Sequence, residues 1–593
     1  MDSSVPSTSF QRPAYHFTAP RGWMNDPCGP GYDPSTKTYH LFYQWNPKSC
    51  EWGNISWGHA TSKDMVKWEH SSGQNPVLSP DDPFDKEGVF TGCMLPQGVS
   101  GEDGTLTLIY SSVCHLPIHW TIPYVRGCEG IAVATSADGG KSWKKIQGNP
   151  ILQEEPANLE VTGFRDPYVA AWPGLDETLG AEGPPALYGV VSGGVRNQGP
   201  AVFLYKLQQN DLTKWNYIGL LLKFTPNYRP SPKWNGDFGI NWECACFMSL
   251  TSTNTTSTRD FLIMGSEGGH ERPWVKSYHD ARPKTLPKRT TRYCLWLSGS
   301  LAKNEAPDGP GNEVTMTHDM GGIVDHGSFY AANTFFDPVQ KRRVLWGWLP
   351  EEDLPMGYCT AKGWNGSLAL PRELFVQRLE GVVGALHSAL DDIGSIRAEK
   401  SSETGTFAVE TLGIRPIPEL TRLRPSRPIV LDYIVLPEVQ KTKYLTPARD
   451  LSWEVEASVS IRDGCDAVGL FIKHNEDYKT HTRIEFLPAS EEIVVVREAS
   501  NSAPDINKCD ERGPFTLFKT QNGRKEEIES LQLRIFCDND LVEIYANDRF
   551  ALSTTIYQDN PQALLISLFA NGSIGSAIFH EVKIWSGMDH IFA

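Results

Sequence analysis

Three of the chain's 71 acidic residues stand among aromatic or rigid neighbours instead of other charges. Asp26 lies in Trp23-Met24-Asn25-Asp26-Pro27-Cys28-Gly29, Asp166 in Gly163-Phe164-Arg165-Asp166-Pro167, and Glu243 in Asn241-Trp242-Glu243-Cys244-Ala245-Cys246. Such company strips water from a carboxylate, raises its pKa and suits it to proton transfer. An Asp before Pro is also an ordinary turn residue, so none of the three carries an assignment alone. His115 and His119 form an H-x3-H without an acidic partner, which reads as a loop pair and not as a metal site.

The elements that would position these acids repeat. Short apolar, β-prone runs occur at 39–45 (YHLFYQW), 106–111 (LTLIYS), 187–192 (LYGVVS), 261–266 (FLIMGS) and 344–349 (VLWGWL). A second series interleaves with them. Ser62-Lys63-Asp64-Met65-Val66-Lys67-Trp68 is echoed at 136–143 (SADGGKSW) and, in degenerate form, at 212–215 (LTKW), so the tryptophans fall 75 and 72 residues apart. Five β-rich units of roughly 70 residues, each divided by Gly, Pro, Asp and Asn turns, predict a five-bladed propeller with four strands per blade. The competing arrangement is a large sandwich with coincidental spacing.

Beyond it, Leu379 to Lys400 carries a mixed, helix-compatible pattern, and Pro416, Pro418, Pro425 and Pro428 would break any helix. Then a period of two becomes clean. Leu451, Trp453, Val455, Ala457, Val459 and Ile461 alternate with mostly polar residues, as do Leu531, Leu533 and Ile535. The Asp538-Asn539-Asp540 turn follows. Alternation with tight polar turns predicts antiparallel strands covered on one face, hence a β-sandwich. The expected organisation is all-β: a catalytic propeller over 1–385, a linker over 386–428 and a C-terminal sandwich over 429–593.

Composition narrows the partners. The 593 residues exceed one compact domain. The formal net charge of −16 disfavours nucleic acid and anionic membrane surfaces and suits a neutral substrate. The 18 Trp residues fit either sugar stacking or a large β core. The N-terminus shows no basic and apolar leader, and no apolar run reaches the roughly 20 residues of a membrane span. A cytoplasmic chain is therefore expected, or a secreted one whose leader has been removed. In the latter case the sequons at Asn54, Asn254, Asn365 and Asn571 would accept glycans. Twelve Cys show no CxxC pairs, and Cys244 and Cys246 read as buried thiols.

Taken together, the segments at 23–27 (WMNDP), 90–92 (FTG), 164–167 (FRDP), 242–244 (WEC), 325–331 (DHGSFYA) and 363–373 (GWNGSLALPRE) closely resemble glycoside hydrolase family 32, the invertases, inulinases and fructosyltransferases. The resemblance spans essentially the whole chain, and the stretch at 411–416 (TLGIRP) looks like the fungal branch. It implies a five-bladed propeller followed by a β-sandwich, and a retaining mechanism that needs no metal or other cofactor. It implies Asp26 as nucleophile, Glu243 as general acid/base and Asp166 as the acid that holds fructose hydroxyls and stabilises the oxocarbenium-like transition state. Retention asks for two carboxyls about 5–5.5 Å apart, one ionised and one protonated. Asn25, Gln44 and Trp52 match positions lining the fructose site. Arg165, Phe90, Thr91 and Asp325 are further candidate contacts. Trp364 is a candidate wall, or else packs its blade. Glu267 is a candidate for the glucose or acceptor side, or else a solvated loop acid.

Two positions depart from the family pattern. Cys28 stands where many family hydrolases carry Asn, and Ala245 where many carry Pro. A thiol donates weakly compared with an amide, so Cys28 is expected to alter how Asp26 is held and how water reaches the intermediate. The substrates expected are sucrose and fructooligosaccharides, with both hydrolysis and fructosyl transfer. The alternatives are exo-hydrolysis of inulin or levan, and a silent sugar-binding relative. Loss of Asp26 or Glu243 would mark the last, and both are present. The sequence says nothing of oligomeric state.

Overall fold

The computed structural model describes residues 11–592 except 72–74, 253, 305–312, 438–444, 449 and 524. The N-terminal stretch read for a leader lies outside the described residues. Among those described, no helix is long and apolar enough to cross a membrane.

Five antiparallel sheets follow one another along the chain. The first comprises Gly22–Asp33, Thr38–Asn46, Ser56–Ser62 and Trp68–His70. The second comprises Gly88–Leu95, Leu106–Val113, Glu129–Ser136 and Lys144–Lys145. The third comprises Val161–Ala171, Leu187–Val195, Gly199–Gln208 and Asp211–Lys223. The fourth comprises Asn241–Thr251, Thr258–Glu267, Arg292–Gly299 and Met320–Ile323. The fifth opens with Tyr330–Asp337, Arg342–Leu349, Arg372–Ala385 and Phe407–Pro416. The first strand of each sheet packs beside the first strand of the next, and the fifth returns to the first, which closes a ring. The architecture is a five-bladed propeller, as the repeat predicts.

Both sequence series have a structural reason. The five apolar runs are the second strands of the five blades, buried on both faces between neighbouring blades. The three echoed tryptophans close outer turns. Trp68, Trp143 and Trp215 each donate their indole N–H to the carbonyl three residues earlier, at 3.1, 3.1 and 2.9 Å. Asp64 and Asp138 accept backbone N–H groups in the same turns.

The segment expected as a linker, 386–428, contributes two strands to the last blade. Arg397–Lys400 and Phe407–Pro416 pair in the fifth sheet, and Leu379–Lys400 contains strand and a short 3-10 turn instead of a helix. Pro416 ends a strand, and Pro418 starts the 3-10 turn Pro418–Leu423. A hairpin from the C-terminal part, Phe518–Asn522 with Lys525–Ile528, joins the same sheet at Val382–Ala385. The remainder forms two six-stranded sheets, which enclose Trp453, Val455, Ala457, Val459, Leu531, Leu533 and Ile535 as the alternation predicts.

A buried ion network joins propeller to sandwich. Asp538 accepts the N–H groups of Ala14, Tyr15 and His16 at 2.6–2.7 Å and pairs with His16 Nδ1 at 2.9 Å. His16 Nε2 meets Glu543 at 3.1 Å, and Arg372 pairs with Glu543 at 3.1 Å and with Asp325 at 2.8 Å. Asp325 also accepts from the Ser553 N–H and hydroxyl, at 2.8 and 2.6 Å. This corrects the expectation that Asp325 contacts substrate, because its carboxylate is fully engaged at the domain interface. Burial opposes charge on His16, but hydrogen bonds and attraction from Asp538 and Glu543 raise its pKa to about 9. A raised histidine stabilises the fold fully below its ordinary 6.5 and loses that contribution as pH rises through about 9. Thermal unfolding midpoints should therefore fall between pH 7 and 10, and His16→Gln should flatten that dependence.

Candidate active site

The acids reach the propeller mouth through one repeated backbone device. Each innermost strand slips register against its neighbour: between Met24 and Pro27, Val89 and Gly92, Arg165 and Tyr168, Glu243 and Cys246, and Tyr330 and Asn333. Such bulges re-aim side chains and are favoured at active sites. Asp166, Cys244 and Ala331 hold left-handed φ of 62°, 52° and 52° at these points. Serines of the preceding blade take up the N–H groups freed there. Ser111 accepts from Asp166 at 2.6 Å and Ser192 from Ala245 at 2.7 Å. These are the serines that end the 106–111 and 187–192 runs.

The bulges gather Asp26, Asp166 and Glu243 into one pocket. Asp26 Oδ2 accepts the Thr91 hydroxyl at 2.5 Å, and Oδ1 accepts the Asn25 amide at 3.1 Å. Gln44 donates to Thr91 at 2.7 Å and receives Asn25 at 2.8 Å, so these three side chains fix the Asp26 carboxylate as a unit. Asp166 Oδ2 accepts the Cys244 N–H at 2.9 Å. The Cys244 thiol lies 3.5 Å from Asp26 and 3.6 Å from Asp166, so one sulfur touches both. Glu243 accepts Arg165 Nε and Nη2 at 3.0 and 2.9 Å on one oxygen and the Tyr330 hydroxyl at 2.8 Å on the other. Arg165 Nη2 also reaches Glu267 at 3.2 Å.

These surroundings separate the acids. Burial pushes Asp26 up to about 6 against the Thr91 hydrogen bond, with repulsion from Glu243 adding. Burial holds Asp166 well above its ordinary value despite Arg165. Burial also lifts Glu267 to about 7, helped by the charge of Glu243. At Glu243 burial is outweighed by the charge of Arg165 and the hydrogen bonds of Tyr330 and Arg165, so its pKa falls. Glu243 is therefore the acid that ionises most readily, while Asp26, Asp166 and Glu267 hold their protons to higher pH.

The other predicted residues divide. Phe90 is buried at the pocket and Trp52 stands half-exposed beside it, edge-on at 6.0 Å. Glu267 is partly buried and joined to Glu243 through Arg165, not a solvated loop acid. Trp364 is buried, pairs with Gly22 along the first blade's inner strand, and has Lys362 Nζ 3.6 Å from its ring centre. It packs its blade and is not a pocket wall. The Cys28 thiol is fully buried and reaches the Asp26 backbone carbonyl at 3.5 Å and the Thr91 hydroxyl at 3.9 Å. It therefore touches the Asp26 backbone and, through Thr91, the support of the Asp26 carboxylate, in keeping with an influence on how Asp26 is held.

Sequence reasoning passed over four participants. Tyr330 stood within the 325–331 motif, five residues from the acid chosen there. Cys244 stood beside Glu243. Arg292, partly buried with its guanidinium 5.3 Å from the Tyr330 ring centre, had no local signal. Nor had the loop over 114–127. Its Leu116 and Ile118 pack against the cluster of Trp23, Phe90, Tyr330 and Trp348. Its Trp120 lies against Gly268, directly beyond Glu267. His119 lies within electrostatic reach of Arg165 and Glu243.

Residues 16–383 match the Glycosyl hydrolases family 32 N-terminal domain, and residues 419–586 match the Glycosyl hydrolases family 32 C-terminal domain. The acid beta-fructofuranosidase of Solanum lycopersicum is 27% identical, over 98% of this chain and 82% of its own. The structure of an Aspergillus kawachii beta-fructofuranosidase complexed with glycerol is similar with a TM-score of 0.86 at 28% identity, over 98% of this chain and 95% of that one. A wild-type fructosyltransferase from A. japonicus is similar with a TM-score of 0.85 at 27% identity, over 98% and 96%. With both family domains matched in order on a propeller and a sandwich, this chain belongs to glycosyl hydrolase family 32.

Proposed function

We propose that the protein is a retaining β-fructofuranosidase that cleaves sucrose through a covalent fructosyl-enzyme and passes the fructosyl unit to water or to a second sugar. The observation that carries this reading is the convergence of Asp26 and Glu243 in one pocket with opposite settings. Asp26 is held by three neutral polar side chains and is placed to attack the anomeric carbon. Glu243 sits against a cation and a phenol and is placed to protonate the departing glucosyl oxygen. Asp166, pinned by the Ser111 hydroxyl at its N–H and by the Cys244 N–H at its carboxylate, holds fructose hydroxyls in this reading. Donation requires a proton on Glu243 while Asp26 is charged. Burial raises Asp166 and Glu267 beside it, and a bound substrate that excludes water raises Glu243 in the same direction.

The acceptor decides the product. Water at about 55 M wins unless a sugar is held in a near-attack position, where its effective molarity far exceeds that. The 114–127 loop, with Trp120 beyond Glu267, offers a platform for such a sugar. At molar sucrose the protein should accumulate short fructooligosaccharides, followed over time by chromatography. Trp120→Ala should lower the ratio of transfer to hydrolysis several-fold while sucrose cleavage stays within about threefold. Equimolar glucose and fructose as the only wild-type products would remove the transferase half of the reading. A higher initial rate on inulin than on sucrose would favour a fructan hydrolase instead.

A further inference from the structure

Glu129 opens the third strand of the second blade and is completely buried. Its Oε2 accepts the Phe164 N–H at 2.9 Å, and its Oε1 accepts Arg165 Nη1 at 3.0 Å. The opposite edge of the same guanidinium serves Glu243 and Glu267. Three carboxylates therefore share one cation, and Glu129 makes its contact on the side away from Glu243. A guanidinium committed to Glu243 alone would hold it as a carboxylate, and a carboxylate so held is a poor proton donor. A buried negative charge on the far edge divides that pull.

We propose that Glu129 is a positioning residue that acts through Arg165 to set the pH range over which Glu243 donates its proton. The inference rests on the reading of Glu243 as the acid/base. The groups facing Glu243 are Arg165, Arg292, Tyr330, Glu267, Asp26, Asp166, Cys244 and His119. Those facing Glu129 are Arg165, Tyr124 and Cys128. Removing the charge of Glu129 leaves Arg165 pulling harder on Glu243, which then loses its proton at lower pH.

The test is the pH profile of kcat on sucrose for the full chain, which reports Glu243 in the enzyme–substrate complex. Glu129→Gln should move the alkaline limb toward acid by about one pH unit, the size expected of one unit charge at this range in a protein interior. Glu129→Asp keeps the charge but withdraws it by a methylene. It should move the limb the same way by less, and it carries the test if Glu129→Gln does not fold. An alkaline limb at its wild-type position, with activity reduced equally at every pH, would leave Glu129 merely structural and overturn the proposal. Glu243→Gln separates the two layers. If its residual activity keeps the same alkaline limb, the acid/base reading fails, whatever Glu129 does.

Discussion

Replacing Asp26 by Asn should lower sucrose turnover by about 10⁴-fold or more with the fold intact. Without an ionised oxygen at this position no fructosyl-enzyme forms, and the remaining groups supply only binding and electrostatic stabilisation. Thr91, Gln44 and Asn25 hydrogen-bond one another as well as Asp26, so an amide of the same shape keeps most of its support. The loss should appear in kcat, with the unfolding midpoint close to that of the wild type. Substantial turnover by Asp26→Asn would remove the nucleophile assignment and with it the retaining mechanism.

The second large effect is on stability and lies far from the pocket. Arg372 is fully buried between Glu543, Asp325 and the Ser553 hydroxyl, with its guanidinium over the Phe329 ring. Arg372→Met fills similar space without charge. It leaves Asp325 with neutral partners only and Glu543 dependent on His16, Tyr545 and the Leu370 N–H. Breaking a buried ion pair on one side costs about 3–5 kcal/mol. Thermal and denaturant unfolding should show the loss as a clearly lowered midpoint, whereas sucrose kinetics below the transition should change little. An unchanged midpoint would mean that the network contributes register and not stability.

Much of this was legible in the residues. The 70-residue repeat exposed the blades because second strands buried on both faces must be continuously apolar, and because each outer turn reuses Asp and Trp for the same hydrogen bonds. The sandwich showed in a period of two. The three acids stood out because each sits in or beside an inner-strand bulge among aromatic or rigid neighbours. What stayed hidden was set by contacts between distant segments. Asp325 shares a motif with pocket-lining Tyr330, but the chain between them turns it toward Ser553 of the sandwich. Trp364 looked like a wall because a tryptophan in a Gly-flanked turn can serve either purpose, and only the Lys362 cation over its ring decides. The linker reading failed for a similar reason. Prolines 416 and 418 bound a strand that completes the last blade, and proline marks a boundary without saying what it bounds. Glu129 had no signal at all, since its partner Arg165 is 36 residues away on another blade.

The repeated register slip has an evolutionary reading. A ring of five blades presents five equivalent sockets at one mouth, and the backbone solves the placement problem the same way at each. The sockets hold an aspartate, a threonine, a second aspartate, a cysteine beside the glutamate, and an alanine beside the tyrosine. Geometry is thus pseudo-symmetric while chemistry is not. Serines of the preceding blade satisfy the freed N–H groups of two sockets, whereas Thr91 holds Asp26 and Asp166 holds the Cys244 N–H. The sockets thus share a backbone solution but not independence, and an exchange at one rim position has to be matched at the next.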